Sequence, residues 1–192
     1  MNPRLESAQK QERSVYFVDA AHFVLGSFIG YLWCIVRIFI PTSCGRNRYN
    51  VLGAINAITH QLISVCNETY INACSVCELL YKIREATIGK ITLVLDNARY
   101  QRCALVMELA EKLNIELLFL PSYSPNLNLI ERLWKWVKKD CLYCKYYECF
   151  EEFKEAINQS LRKVSQIETK KELDKLLTLK FQLFDSAIYD RV

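Results

Sequence analysis

Short apolar runs fill the first third of the chain, and longer amphipathic stretches follow. "SVYFVDA" reads as a short apolar strand ending on Asp19, and "YNVLGAINAIT" with "QLISVCNET" as two strands joined near His60. Helical periodicity then takes over at residues 71–86. "KITLVLDN" predicts a buried strand ending on Asp96, and residues 101–113 a helix whose apolar face carries Leu105, Leu109 and Leu113. "IELLFL" is one more strand, leading into a helix predicted to start at Leu129. Residues 150–164 read as an amphipathic helix and 168–192 as a charged helix and tail. Three strands, helix, strand, helix, strand, helix is the order of an α/β sheet with crossover connections.

Two of these strands end in aspartate. In a parallel α/β sheet, ligands bind beyond the carboxyl ends of the strands. Val15, Phe17 and Asp19 share one side of their strand, as do Thr92, Val94 and Asp96, so adjacent placement in register puts both carboxylates on one face. Two close carboxylates repel unless a cation lies between them. Each aspartate alone would serve equally well as a strand end that caps the next turn.

Glu131 has two readings. Pro121 and Pro125 block regular structure before residue 126, and Asn128 is a good N-cap, so Asn128 and Glu131 form a capping box in the bland reading. In the other reading Glu131 joins the two aspartates. Three carboxylates suit magnesium or manganese rather than zinc, and two such ions roughly 3.5 to 4 Å apart can activate a water or a 3′ hydroxyl and stabilise the leaving oxygen. Lys135 and Lys138, four and seven residues on, then lie along the same helix face and can meet phosphates. His22, the one nitrogen candidate nearby, reads as a packed or hydrogen-bonded histidine.

Composition changes this picture little. The 192 residues are enough for one full core, and a net charge of +4 is compatible with an anionic partner. Nine cysteines and a polar start, "MNPRLESAQKQERS", predict free thiols in a reducing cytosol. Cys74 with Cys77, and Cys141 with Cys144, have metal-like spacing; buried small hydrophobes are the expected reading. Residues 23–40, "FVLGSFIGYLWCIVRIFI", have bilayer-spanning length, with Gly26 and Gly30 at helix-dimer spacing. Arg37 inside the run, its β-forming residues and the two glycines predict extended structure over the core and no membrane.

The order Asp19, Asp96, Glu131, with 34 residues between the last two, "LVLDNARYQ" and "LPSYSPNLNLIERLWKWVKK" together resemble the catalytic domain of DDE transposases. The resemblance is to the mariner superfamily, in particular its prokaryotic insertion-sequence branch, and runs from about Val15 to Tyr147. It implies a ribonuclease H-like mixed sheet flanked by helices over residues 15–147, after a polar lead of residues 1–14. A helical C-terminal extension takes residues 148–192. By match of motif, Asp19, Asp96 and Glu131 would be the catalytic metal ligands for Mg2+ or Mn2+, and Asn97, Pro125 and Asn128 would shape the site. The implied activity is excision and integration of a transposon by hydrolysis and strand transfer, in a homo-oligomer that synapses DNA, in the prokaryotic cytoplasm and at the nucleoid when DNA-bound.

Family members carry a paired helix-turn-helix region before the first aspartate, whereas 18 residues precede Asp19 here. The expectation is therefore half a transposase, partnered by an upstream helix-turn-helix half from a split frame, or a truncated copy. DNA contact then falls to the backbone, through Arg46 and Arg48 of "CGRNRYN", Lys135 and Lys138, and a C-terminal scatter including Lys170 and Lys171. Two alternatives stay open: a ribonuclease H-like nuclease that stops at hydrolysis, and an idle truncated chain that only oligomerises with full-length enzyme.

Overall fold

Strand β1, Arg13–Val24, is the centre of the architecture. The structure is a computed structural model and describes residues 1–26, 35, 36, 39, 47–121 and 125–181. Arg46 and most of the 23–40 stretch lie outside the described residues. Among the described residues no helix is long and apolar enough to cross a membrane.

Strands β2 (Arg48–Asn56), β3 (Leu62–Asn67), β4 (Lys90–Leu95) and β5 (Ile115–Phe119) complete a five-stranded sheet of order β3-β2-β1-β4-β5. β1 pairs antiparallel with β2 and parallel with β4, and β4 pairs parallel with β5. Six α-helices among the described residues flank it: α1 (Asn2–Gln9), α2 (Ala73–Ala86), α3 (Ala104–Lys112), α4 (Ile130–Leu142), α5 (Phe150–Lys163) and α6 (Ile167–Leu176).

The two sheet faces follow from strand alternation. Tyr16, Val18, Leu52, Ala54, Leu93 and Leu95 face α2 and α3, where Leu79, Leu80, Ile83 and Val106 are buried. Val15, Phe17, Ala21, Val51, Ile55 and Val94 face the other way, onto Ile130, Leu133, Trp134 and Val137 of α4. Phe153 and Ile157 of α5 and Leu173 of α6 sit in this same cluster, so the C-terminal helices share the core with α4.

The strand ends opposite the acids are clamped by charge. Glu116 of β5 accepts from Arg4 Nη2 (2.6 Å), Arg13 Nη1 (2.6 Å) and Thr92 Oγ1 (2.8 Å), which ties α1, β1 and β4 to β5. The Arg4 guanidinium and the other donors hold the Glu116 carboxyl down at about 2.

The fold corrects several expectations. β1 does not end on Asp19 but continues to Val24, because Ala20–Val24 find partners in Arg48–Leu52 of β2. α1 was not foreseen within the polar lead; its Leu5 and Ala8 reach the core. α3 buries Val106 and Ala110, while Leu105 is 53% exposed, so the apolar face is one residue out of phase with the expected one. Cys141 is buried as expected, but Cys77 is only half-buried and Cys74 and Cys144 are exposed.

Helix α4 crosses β2 at Gly53, the partner of Asp19 across the antiparallel pair. The Trp134 ring passes so close that a Cβ on Gly53 would stand 2.6 Å from Cη2 and 2.8 Å from Cζ2. Gly53→Ala is therefore expected to lower stability by about 1–3 kcal/mol, by forcing the ring or the helix away. A lower urea midpoint at unchanged slope would register it; an unshifted midpoint would mean that α4 gives way freely.

Candidate active site

Register brings the two aspartates together. The parallel β1–β4 pairs run from Arg13↔Lys90 to Val18↔Leu95, so the next step sets Asp19 beside Asp96. Both follow Phe17 and Val94 on the α4 face, as strand alternation requires. Parallel pairing stops there and β1 runs on beside β2 alone, which leaves a notch above the end of β4.

Glu131 reaches the notch from α4, as the second residue of that helix. The capping box expected from Asn128 and Glu131 is absent. The cap position falls on Leu129, with no side-chain cap bond, and the helix starts at Ile130 rather than Leu129. Asn128 is instead only 4% exposed, and its Nδ2 donates to the Val18 carbonyl at 3.2 Å, pinning the start of α4 to the strand residue before Asp19. A genuine capping box lies at Asn72 and Ser75, at the start of α2.

The charges of Asp96 and Glu131 both act on Asp19. Burial pushes the Asp19 carboxyl up to about 7; the Ala20 amide opposes this, and the Glu131 and Asp96 charges add to it. The Trp134 indole N–H lies near enough to favour the anion slightly, although it makes no hydrogen bond of ordinary geometry. Tyr100, in a 3-10 turn at Arg99–Gln101 after β4, is pushed to about 12 by burial and then by Asp96 and Asp19.

Asp96 Oδ1 is buried and has no hydrogen-bond partner. A buried, unpaired carboxylate oxygen with two further carboxylates nearby is a hard-oxygen donor set, which fits magnesium or manganese and not zinc. Among the described residues, no three histidine, cysteine or acidic side chains are gathered tightly enough to enclose an ion by themselves. Magnesium does not require that, since it keeps several waters and takes one or two carboxylates together with substrate phosphates.

The remaining predicted residues fall on either side of this notch. Asn97 is exposed and accepts from Arg102 Nη1 at 2.8 Å, and Pro125 opens the 3-10 turn Pro125–Leu127 before α4. Lys135 is exposed and shares with Glu131 a cavity of about 540 Å3, whose other lining residues are Asn126, Asn128, Arg132, Thr178 and Lys180. Lys138 lies over the Phe23 ring, 6.0 Å from its centroid, and Arg48 is exposed at the start of β2, opposite Val24. His22 is exposed and donates from Nδ1 to Asn50 Oδ1 at 2.6 Å.

Gly53, Tyr100, Arg132 and Trp134 were missed by sequence reasoning. A lone glycine inside a strand pattern signals close backbone approach, so Gly53 had a usable signal. Tyr100, Arg132 and Trp134 had none.

Solved structures share this architecture. The simian T-cell lymphotropic virus intasome, in complex with PP2A regulatory subunit B56 gamma, matches with a TM-score of 0.57 at 12% identity, over 80% of this chain and 48% of that chain. The Mos1 strand transfer complex matches with a TM-score of 0.54 at 14% identity, over 95% of this chain and 60% of that one. The Mos1 mariner paired end complex with Mn gives 0.55 at 14% identity, over 95% and 61%. This chain thus spans about half to three-fifths of the length of these relatives. The likeness is one of fold, a ribonuclease H-like mixed sheet flanked by helices. No curated protein matches the sequence. Residues 14–154, most of the chain and all of the notch, match the family model of the DDE superfamily endonucleases, and the chain belongs to that family.

Proposed function

We propose that this chain is the catalytic part of a transposase, cutting DNA at transposon ends and joining 3′ hydroxyls to target DNA. The observation that supports the reading is that Asp96 and Glu131 lie near enough to Asp19 for their charges to raise its pKa, with Asp96 Oδ1 buried and without a hydrogen-bond partner. Family membership supports DNA cleavage, and the similar Mos1 structures, a strand transfer complex and a paired end complex with Mn, support transfer, metal use and assembly on DNA ends. The insertion-sequence branch, the helix-turn-helix partner and a cytoplasmic, nucleoid-associated setting belong to the same proposal and rest on the sequence motifs.

Asp19, Asp96 and Glu131 would hold magnesium or manganese, which when bound supplies Lewis-acid polarisation of a phosphate and an activated water or hydroxyl. The protein's own part is preorganisation. β1 and β4 fix the spacing of two carboxylates, Asn128 locks the start of α4 to β1, and α4 carries the third. Lys135 meets a phosphate of the bound strand, and Arg46, Arg48 and Lys138 extend the backbone contact.

Metal binding is expected to show as stability. Without metal, the folded Asp19 carboxyl holds its proton up to about 7, against 3.8 as the ordinary value, so folding takes up a proton between those limits. The fold then loses stability as pH rises from about 4 to about 7, by up to roughly 1 kcal/mol per unit, and Asp19→Asn removes that slope. Magnesium at one hundred times its dissociation constant adds about 2.7 kcal/mol at pH 8, and Asp96→Asn abolishes the gain. Thermal melts with and without magnesium measure both; an identical metal response in Asp96→Asn would remove that residue from the ligand set.

Glu131→Gln separates ligand from scaffold. Because Glu131 makes no capping bond, the substitution should change stability by less than about 1 kcal/mol while eliminating manganese-dependent nicking of supercoiled plasmid. Nicking at the wild-type rate would return Glu131 to a structural role. Recovery of joined products beside nicked ones distinguishes a transposase from an enzyme that stops at hydrolysis.

A further inference from the structure

The cavity beside Glu131 is walled on one side by the chain's own C-terminal stretch. After α6 the backbone returns across α4: Leu177 is buried at 2% exposure, and Leu179 and Phe181 pack against the same core cluster. The Phe181 ring stands 5.7 Å from that of Phe17, which lies two residues before Asp19 on the same face of β1.

Arg132 ties this strap to α4. Its Nη1 donates to the Thr178 carbonyl at 2.7 Å and at longer range to the Leu176 carbonyl (3.4 Å) and Thr178 Oγ1 (3.3 Å). Its Nη2 donates to the Lys180 carbonyl at 2.9 Å, and the guanidinium lies over the Phe181 ring, 5.8 Å from the centroid. A guanidinium committed to main-chain carbonyls has few donors left for a phosphate. Its work is positional.

What it positions is Lys180. Lys180 and Thr178 line the same cavity as Glu131, Lys135 and Asn128. Lys135 and Lys180 are both exposed, and among the described residues neither pairs with a carboxylate. This lining calls for an anion that two ammonium groups can share. A phosphate of a DNA strand is such an anion, and about 540 Å3 is within the size range of ligand pockets.

We infer that residues 177–181 form a fixed wall of the active-site cleft, held by Arg132, and that Lys180 on that wall joins Lys135 in binding a DNA phosphate beside Glu131. Lys180 is a binding residue and Arg132 a positioning residue. The inference rests on the DNA-processing reading above and adds to it a segment beyond the 14–154 family match.

Fluorescence anisotropy of a labelled duplex, titrated with the full chain at several salt concentrations, tests it. Each phosphate contact contributes about 0.9 to the slope of log affinity against log salt, so Lys180→Gln should flatten the slope by about one. Arg132→Leu should flatten it equally, and the double variant no further, because both act through one lysine. Amide hydrogen exchange over residues 176–181 should quicken in Arg132→Leu and stay unchanged in Lys180→Gln. An unchanged slope in Lys180→Gln, with plasmid nicking intact, overturns this inference and leaves the proposed function standing. Additive flattening by the two substitutions would mean that Arg132 contacts phosphate itself and overturns its positioning role. A wild-type chain that neither binds duplex nor nicks plasmid overturns both readings.

Discussion

Parallel pairing of β1 with β4 is the constraint on which the rest depends. It alone sets Asp19 beside Asp96, and a slip of one residue would turn Asp19 onto the α2 and α3 face. The register is held from both ends. Arg13 and Thr92 share Glu116 at one end, and at the other β2 extends β1 past the point where β4 stops. Gly53, opposite Asp19, then leaves room for Trp134, and the seating of that ring decides where α4 delivers Glu131.

Such a centre is costly for the apo fold. Among the described residues, three of the six buried side-chain atoms without a hydrogen-bond partner belong to Asp96, Asn128 and Trp134, all around Asp19. Native proteins leave few polar groups buried and unpaired, and a concentration of them at one notch marks a place built for a ligand. The surrounding apolar cluster, from Phe17 to Phe153, is what keeps the acids at close quarters despite their repulsion.

Much of this was legible in the sequence. Period-two alternation in "VYFVD" and "TLVLD" was enough to put both carboxylates on one face, because register in a buried parallel pair leaves little freedom. The strand and helix order followed from periodicity for the same reason. What escaped was decided by contacts distant in sequence. Asn128 fits a helix cap by every local rule, but the Val18 carbonyl supplies a tertiary partner that local rules do not contain. β1 runs past Asp19 only because β2 is there to receive it, and α3 turned by one residue to present Val106 and Ala110 to the sheet. Arg132 looks like any solvated helical arginine until the strap lies across it.

The topology also determines when in folding the carboxylates meet. β1, β2 and β3 are consecutive antiparallel neighbours and can zip locally, with Asp19 still open to water. Asp96 arrives with β4 by a crossover through α2, and Glu131 only when α4 docks after β5. Contacts so distant in sequence form late, after the entropy of closing the intervening loops has been met. The repulsion between Asp19 and Asp96 therefore opposes the docking of β4, and Glu131 adds to it only when α4 docks, which leaves the antiparallel β1–β2–β3 pairing free to form as if the site did not exist.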